Sequence, residues 1–223
     1  TTIGWNNTFN ITGTIADAES ADKANIKPSL IMPNGISITG SNGLELNIKN
    51  AYVQIGNASS KNSAANGTFT INIDNSIAEF TNQLTFSTPT NGMNPTFNLN
   101  IKDSVVTTAT KLILSAENCN MVVDNSTVDI KTYFRNSGNV ELKNGSKLTG
   151  ATIQFGENGG HDGKTTVDNS EMRITASSTG HAYDGKGTGE IILQNGANVA
   201  IDYYKDLTIT TDATSTFIGT KVM

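Results

Sequence analysis

The sequence predicts an all-β chain built as a single parallel solenoid of about eight coils. Three observations predict it. First, a short pattern recurs. Leu46 to Asn50 reads Leu-Asn-Ile-Lys-Asn, and versions of it end at Asn75, Asp103, Asn125, Asn144, Asn169 and Asn195, with spacings of 25, 28, 22, 19, 25 and 26 residues. Self-similarity at a fixed period of this size marks stacked repeats. Second, the positions two before this column are Ile48, Ile73, Ile101, Val123, Leu142, Val167 and Leu193. Those four before it are Leu46, Ile71, Leu99, Met121, Val140, Thr165 and Ile191, with Thr165 alone polar. Apolar residues at every second position describe a strand with one buried face. Third, the outward residue just before the column reads Lys49, Asp74, Lys102, Asp124, Lys143, Asp168 and Gln194. Its charges alternate coil by coil, as neighbours on adjacent parallel strands should.

After the column the apolar residues resume at Val53, Ala78, Val106, Val128 and Met172, and one later at Leu148 and Val199 where Asn-Gly replaces a single residue. The glycine therefore counts as an insertion in the bend. Each unit reads as strand, tight bend, strand, with a third short strand expected at Leu84–Phe86, Lys111–Leu114 and Thr152–Phe155. Asn and Asp tolerate the left-handed backbone region and so suit the bend. Stacked, Asn50, Asn75, Asp103, Asn125, Asn144, Asn169 and Asn195 are expected to form a ladder of side-chain amides inside the corner.

This combination of apolar alternation, coils of variable length and an Asn column at a bend resembles the right-handed parallel β-helix of the pectin-lyase-like group. The resemblance spans about 44 to 210 and implies right-handed coils. It leaves activity open, because that fold carries enzymes, phage spikes and adhesins alike.

Taken in order, residues 1–43 should form an N-terminal cap and irregular first coils, 44–210 the regular coils, and 211–223 a C-terminal cap or a lead into a further domain. Phe9–Gly13 can begin a coil. Leu30–Gly40 copies Val140–Gly150 position for position, although its Asn34 stands only 16 residues before Asn50. Between them Ala16–Asn25 is Ala-rich and charged, and is expected as a loop or short helix over the end of the stack, with Trp5 as a plug. Four long connections, Gly56–Gly67, Ser87–Pro95, Gly156–Gly163 and Ser177–Gly189, precede column-bearing strands and should leave one common corner. Variable loops on a rigid scaffold are where binding residues concentrate.

A net charge of −5 over 223 residues gives no reason to seek nucleic acid. No apolar run is long enough to span a membrane as a helix, and the start lacks a secretory leader, so the chain reads as a mature or excised segment. Cys119, the single cysteine, shares parity with Met121 and Val123 and should be a core residue. Only 16% of residues are charged and Asn, Thr, Ser and Gly abound, a composition expected of a bacterial protein that is secreted or held at the cell surface.

The two histidines lie in corner loops that share the order His, Asp, Gly, Lys: His161 and Asp162 with Lys164, then His181, Tyr183 and Asp184 with Lys186. Stacking one loop over the next could gather His161, Asp162, His181 and Asp184 as ligands for calcium or another divalent metal, with Lys164, Tyr183 and Lys186 as ligand-binding neighbours. Ordinary turn chemistry also accounts for these residues and carries the greater weight. No catalytic residues and no cofactor can be assigned. The leading expectation is a non-enzymatic, adhesin-like solenoid whose corner loops bind a glycan or a host surface protein. A polysaccharide lyase, glycoside hydrolase or carbohydrate-binding module on the same scaffold is the alternative.

Overall fold

The computed structural model describes residues 2–3, 7–38, 43–60, 67–87, 94–116, 118–155, 162–175, 188–203 and 207–221. Every strand pairing is parallel, and the strands stack into three faces. The first face holds the strand ahead of the Asn/Asp column. Its nine strands run from Asn7–Thr12 through Gly43–Lys49, Thr68–Asp74, Thr96–Lys102, Cys119–Asp124, Asn139–Lys143, Gly163–Asp168 and Gly189–Gln194 to Leu207–Thr211. The second face holds the strand after the column, from Leu30–Met32 through Tyr52–Ile55, Ile77–Phe80 and Val105–Thr108 to Glu171–Ile174, Asn198–Tyr203 and Thr216–Lys221. The third comprises Thr2–Ile3, Ile36–Ile38, Ala58–Ser60, Leu84–Ser87 and Lys111–Ser115. Thr127–Asn136 and Lys147–Phe155 each serve both the second and third faces, with the pairing interrupted between Ile130 and Tyr133.

Register follows the sequence pattern. Ile48 pairs Ile73, which pairs Ile101, and the column continues through Val123, Leu142, Val167 and Leu193. All seven are at most 1% exposed. On the second face Val53, Ala78, Val106, Val128, Leu148, Met172 and Val199 stack in the same way. Phe97 stacks between Phe69 and Phe86 with ring centroids 5.3 and 5.1 Å away, filling the side near the third face. Cys119 pairs Phe97 in register and is fully buried, a core residue as expected. The polar exception Thr165 is also buried, and its hydroxyl accepts a 3.1 Å bond from Asn136 Nδ2.

Complete three-faced coils among the described residues number about five, of about 25 residues each, against the eight predicted. The repeat count registers one strand per unit, whereas a complete coil needs all three. Beyond these five the stack continues as coils that carry an insertion or show two described faces.

The N-terminal unit is shifted by one face. Leu30–Met32 pairs Tyr52–Ile55 on the second face, and Ile36–Ile38 pairs Ala58–Ser60 on the third. Asn34-Gly35 therefore turns the corner between second and third faces. Asn7–Thr12 supplies this coil's first-face strand, with Phe9 opposite Leu46 and Ile11 opposite Ile48. The short spacing from Asn34 to Asn50 has this cause, since less than a full coil separates those two corners.

The insertion at 13–29 does not lie over the end of the stack. It runs as a strap along the second face, crossing the bend where a Cβ on Gly13 would meet Asn50 O at 2.4 Å. A short 3-10 turn, Lys23–Asn25, is its only helical piece among the described residues. Ile15 and Ala18 bury against Tyr52 and Ile77, with Val105 alongside. Those three occupy one outward column, which turns polar at Thr127, whose hydroxyl donates to the strap's Glu19 at 3.3 Å, and stays polar at Lys147 and Glu171. Lys23 pairs Glu79 at 2.9 Å. Burial would raise the Glu79 pKa, but hydrogen bonds from Gln54, Lys23 and Tyr52 outweigh it and hold the carboxyl below its usual range.

Both the burial and the continuity of the amide ladder need correction. Asn50, Asn75, Asp103, Asn125, Asn144, Asn169 and Asn195 all take positive φ between 44 and 58°, as the bend requires. That conformation turns their side chains outward: the first three are half-buried and the last four exposed. Asn75 Nδ2 does reach Asn50 Oδ1 at 2.9 Å and Asn125 Nδ2 reaches Asp103 Oδ1 at 2.7 Å. Asn144 and Asn195 bond instead to Asp124 and Asp168, at 2.6 Å each. The buried ladder belongs to the next residue. Ser76, Ser104, Ser126, Ser146 and Ser170 point inward at no more than 7% exposure. Each hydroxyl accepts the backbone N–H of the coil before, at 3.0 to 3.2 Å from Ala51 N to Ser146 N. The hydroxyls of Ser76, Ser104 and Ser126 donate in turn to Asp74, Lys102 and Asp124 carbonyls. At Asn144-Gly145 and Asn195-Gly196 the extra glycine has φ of 79 and 80° with open space around it, so conformation and not room selects glycine there.

Candidate functional site

Solvent-facing side chains of the first face form rows that cross the strands. Three positions before the column, Asn10, Asn47, Asn72 and Asn100 stand in register. Asn47 Nδ2 donates to Asn10 Oδ1 at 3.0 Å, Asn72 to Asn47 at 2.7 Å, and Asn100 to Asn72 at 2.8 Å. A second row, two residues further back, runs Thr8, Glu45, Thr70, Asn98, Asn120, Asn139, Lys164 and Glu190. Asn120 donates to Asn98 at 3.1 Å, Asn139 to Asn120 at 3.4 Å, and Lys164 meets Glu190 at 3.2 Å. These bonds link the side-chain amides of neighbouring coils.

Two shallow grooves lie on this face. One, of about 330 Å³, is lined by Asn10, Thr12, Asn47, Lys49, Asn72 and Asp74 together with Ile11 and Ile48. The other, of about 280 Å³, includes Asn120, Asn139, Glu141, Lys164 and Thr166. The alternating charge row stacks as expected, yet only part of it closes into ion pairs. Lys49 meets Asp74 at 3.5 Å, whereas Lys102 turns to Asp103 at 3.9 Å and Lys143 to Glu141 at 3.7 Å. Exposed pairs at such distances contribute at most about 1 kcal/mol each.

Of the residues singled out for a metal or ligand, His161, His181, Tyr183, Asp184 and Lys186 lie outside the described residues. Asp162 and Lys164 are described. Asp162 Oδ1 accepts the Thr188 N–H at 2.8 Å, tying the base of one corner loop to the next. Lys164 sits on the first face in the second groove. Among the described residues no three His, Cys, Asp or Glu side chains gather as a metal site. Trp5 and the tips of the long connections, 61–66, 88–93, 156–161 and 176–187, likewise fall outside them. Part of the expected Gly56–Gly67 loop is strand, as Ala58–Ser60 pairs Ile36–Ile38 and Leu84–Ser87.

The first of these rows is present in the sequence as Asn47, Asn72 and Asn100. Asn at one outward parity on successive coils was the available signal. No family model, no curated protein and no solved structure matches this chain.

Proposed function

We propose that this chain is a non-enzymatic display scaffold, adhesin-like and secreted or held at a bacterial cell surface, that offers a preformed polar surface to a glycan or a host surface protein. The observation that carries the reading is the bonded row Asn10–Asn47–Asn72–Asn100 on the parallel first face. Fixing those amides costs entropy that the stack has already spent in folding, so a ligand meets donors and acceptors in place. The long connections support it further. The first three join a third-face strand to the next first-face strand, so their two ends meet the edge of that surface.

The test is an array of glycans and extracellular-matrix proteins probed with the labelled chain, followed by a reducing-end assay and an unsaturated-uronide assay on every glycan that binds. Saturable binding without cleavage is expected. Cleavage of a bound glycan replaces the reading with the lyase or hydrolase alternative, and a blank array removes it. His161→Ala together with His181→Ala decides whether the corner loops take part. Loss of binding in that variant assigns them to the surface; unchanged binding leaves them as turns.

A further inference from the structure

The geometry points to the ligand class of the N-terminal half of the first face: a neutral, hydroxyl-rich polymer chain lying along the Asn10–Asn47–Asn72–Asn100 row, across the strands. The inference rests on the display reading above and narrows it. In the row each carbonyl oxygen accepts at most one bond, so every one keeps a lone pair. Asn10, Asn47 and Asn100 also keep an amide N–H, while Asn72 spends its second one on Glu45 Oε1 at 3.4 Å. The outward side therefore presents donors and acceptors together, repeated about every 4.8 Å along the stack. Hydroxyl groups, which donate and accept at one atom, answer that pattern; a purely acidic or purely basic polymer does not.

Charge selects in the same direction. The ionised residues beside the row are Glu45, Lys49, Asp74 and Lys102, with Asp103 next to Lys102; Lys49 is paired with Asp74 at 3.5 Å and Lys102 with Asp103 at 3.9 Å. No net positive field draws a polyanion to this half. Six of the eight residues that line the groove are polar or charged, Asn10, Thr12, Asn47, Lys49, Asn72 and Asp74, and Ile11 and Ile48 form its floor. Its volume of about 330 Å³ falls at the small end of ligand sites, enough to seat part of a chain. In the C-terminal half the same row becomes Val122, Glu141, Thr166 and Ile192, which cannot continue the amide pattern. The face thus carries its own control surface.

Native affinity electrophoresis of the full chain tests this, in gels containing a mixed-linkage β-glucan, a galactomannan, a dextran or polygalacturonate. Retardation by at least one neutral polymer and none by polygalacturonate is the expected result. Asn47→Leu with Asn72→Leu should weaken retardation at least tenfold, and Asn72→Asp, which keeps the side-chain size, should weaken it too. Glu141→Gln should leave it unchanged. Thermal melting of each variant establishes that the stack is intact. Retention of binding by a folded double variant overturns the assignment of this row while leaving the display reading standing. No retardation by any neutral polymer, or retardation by polygalacturonate alone, overturns the ligand class. A blank array in the previous experiment would instead remove the display reading itself.

Discussion

The backbone N–H of Ser76 donates to the hydroxyl of Ser104, 28 residues further on, at 3.0 Å. Both serines are fully buried at the bend, and Ser104 Oγ donates onward to the Lys102 carbonyl at 2.5 Å. One hydroxyl thus satisfies a donor of one coil and an acceptor of its own, at the point where the strand ladders of first and second faces are interrupted. Ser104→Ala should leave the Ser76 N–H buried without a partner and cost about 1–3 kcal/mol, read as a lower denaturant midpoint. A midpoint shift no larger than that of an exposed serine would show that the ladder is incidental.

At Asn125 the backbone is expected to outweigh the amide. Its φ of 45° is unfavourable for residues with a Cβ, its side chain is exposed, and its bond to Asp103 is open to water. Asn125→Gly should therefore be nearly neutral, while Asn125→Ala should cost about 1–2 kcal/mol through the left-handed conformation. Equal losses in the two variants would restore the amide bond as the main contribution.

These two positions mark what the sequence could and could not show. Period-2 alternation fixed the inward columns, because parity follows directly from the pleat, and Ile48, Ile73 and Ile101 stack as read. At the bend parity fails. The left-handed residue breaks the alternation, so whether Asn125 or Ser126 turns inward depends on φ and ψ and not on spacing. The strap was legible only in hindsight, since Tyr52, Ile77 and Val105 are outward apolar residues whose cover lies far away in the chain at Ile15 and Ala18. For the candidate site, the outward Asn columns were visible, but their meaning depended on register and side-chain bonding across coils. The His161 and His181 pairing falls outside the described residues.

The strap should be separable from the stack. Asn75 holds it: Oδ1 accepts from Ala18 N at 3.0 Å, and the N–H not given to Asn50 is shared between the Ile15 and Ala16 carbonyls, each 3.1 Å away. Ala18→Asp would place a carboxylate at a site 2% exposed, which is unfavourable without a partner. Limited proteolysis should then cut within 13–29 while circular dichroism retains the β signal. Loss of the whole β signal would make the strap integral to the fold. Acid should loosen the same segment. The Glu79 pKa is held low in the folded chain, so its contribution is present above the ordinary carboxylate value and lost as pH falls through the lowered one.

The last described bend has its own pH dependence. Asp212 accepts Asn195 N at 2.7 Å and Thr214 N at 3.0 Å. The Asn195 bond first, with bonds from Ser215 and Thr214, lowers its pKa from an ordinary 3.8 to about 2. Since the folded value is the lower one, the contribution is complete above the ordinary value and disappears as pH falls toward 2. Amide exchange at Asn195 should be faster in Asp212→Asn than in the parent at pH 6, and the difference should shrink as pH falls through about 2. A difference that persists unchanged across that range would assign the effect to something other than the charge.

In-register parallel stacking underlies every row and ladder described above, and methyl nuclear Overhauser spectroscopy on isoleucine-labelled protein measures it most directly. Ile11, Ile48, Ile73 and Ile101 occupy one inward column on four successive strands. Cross-peaks should link the methyls of Ile11 to Ile48, Ile48 to Ile73, and Ile73 to Ile101, with none between Ile11 and Ile101. Close cross-strand Hα–Hα contacts among these strands, as in antiparallel pairs, or the absence of the sequential methyl links, would contradict the stack.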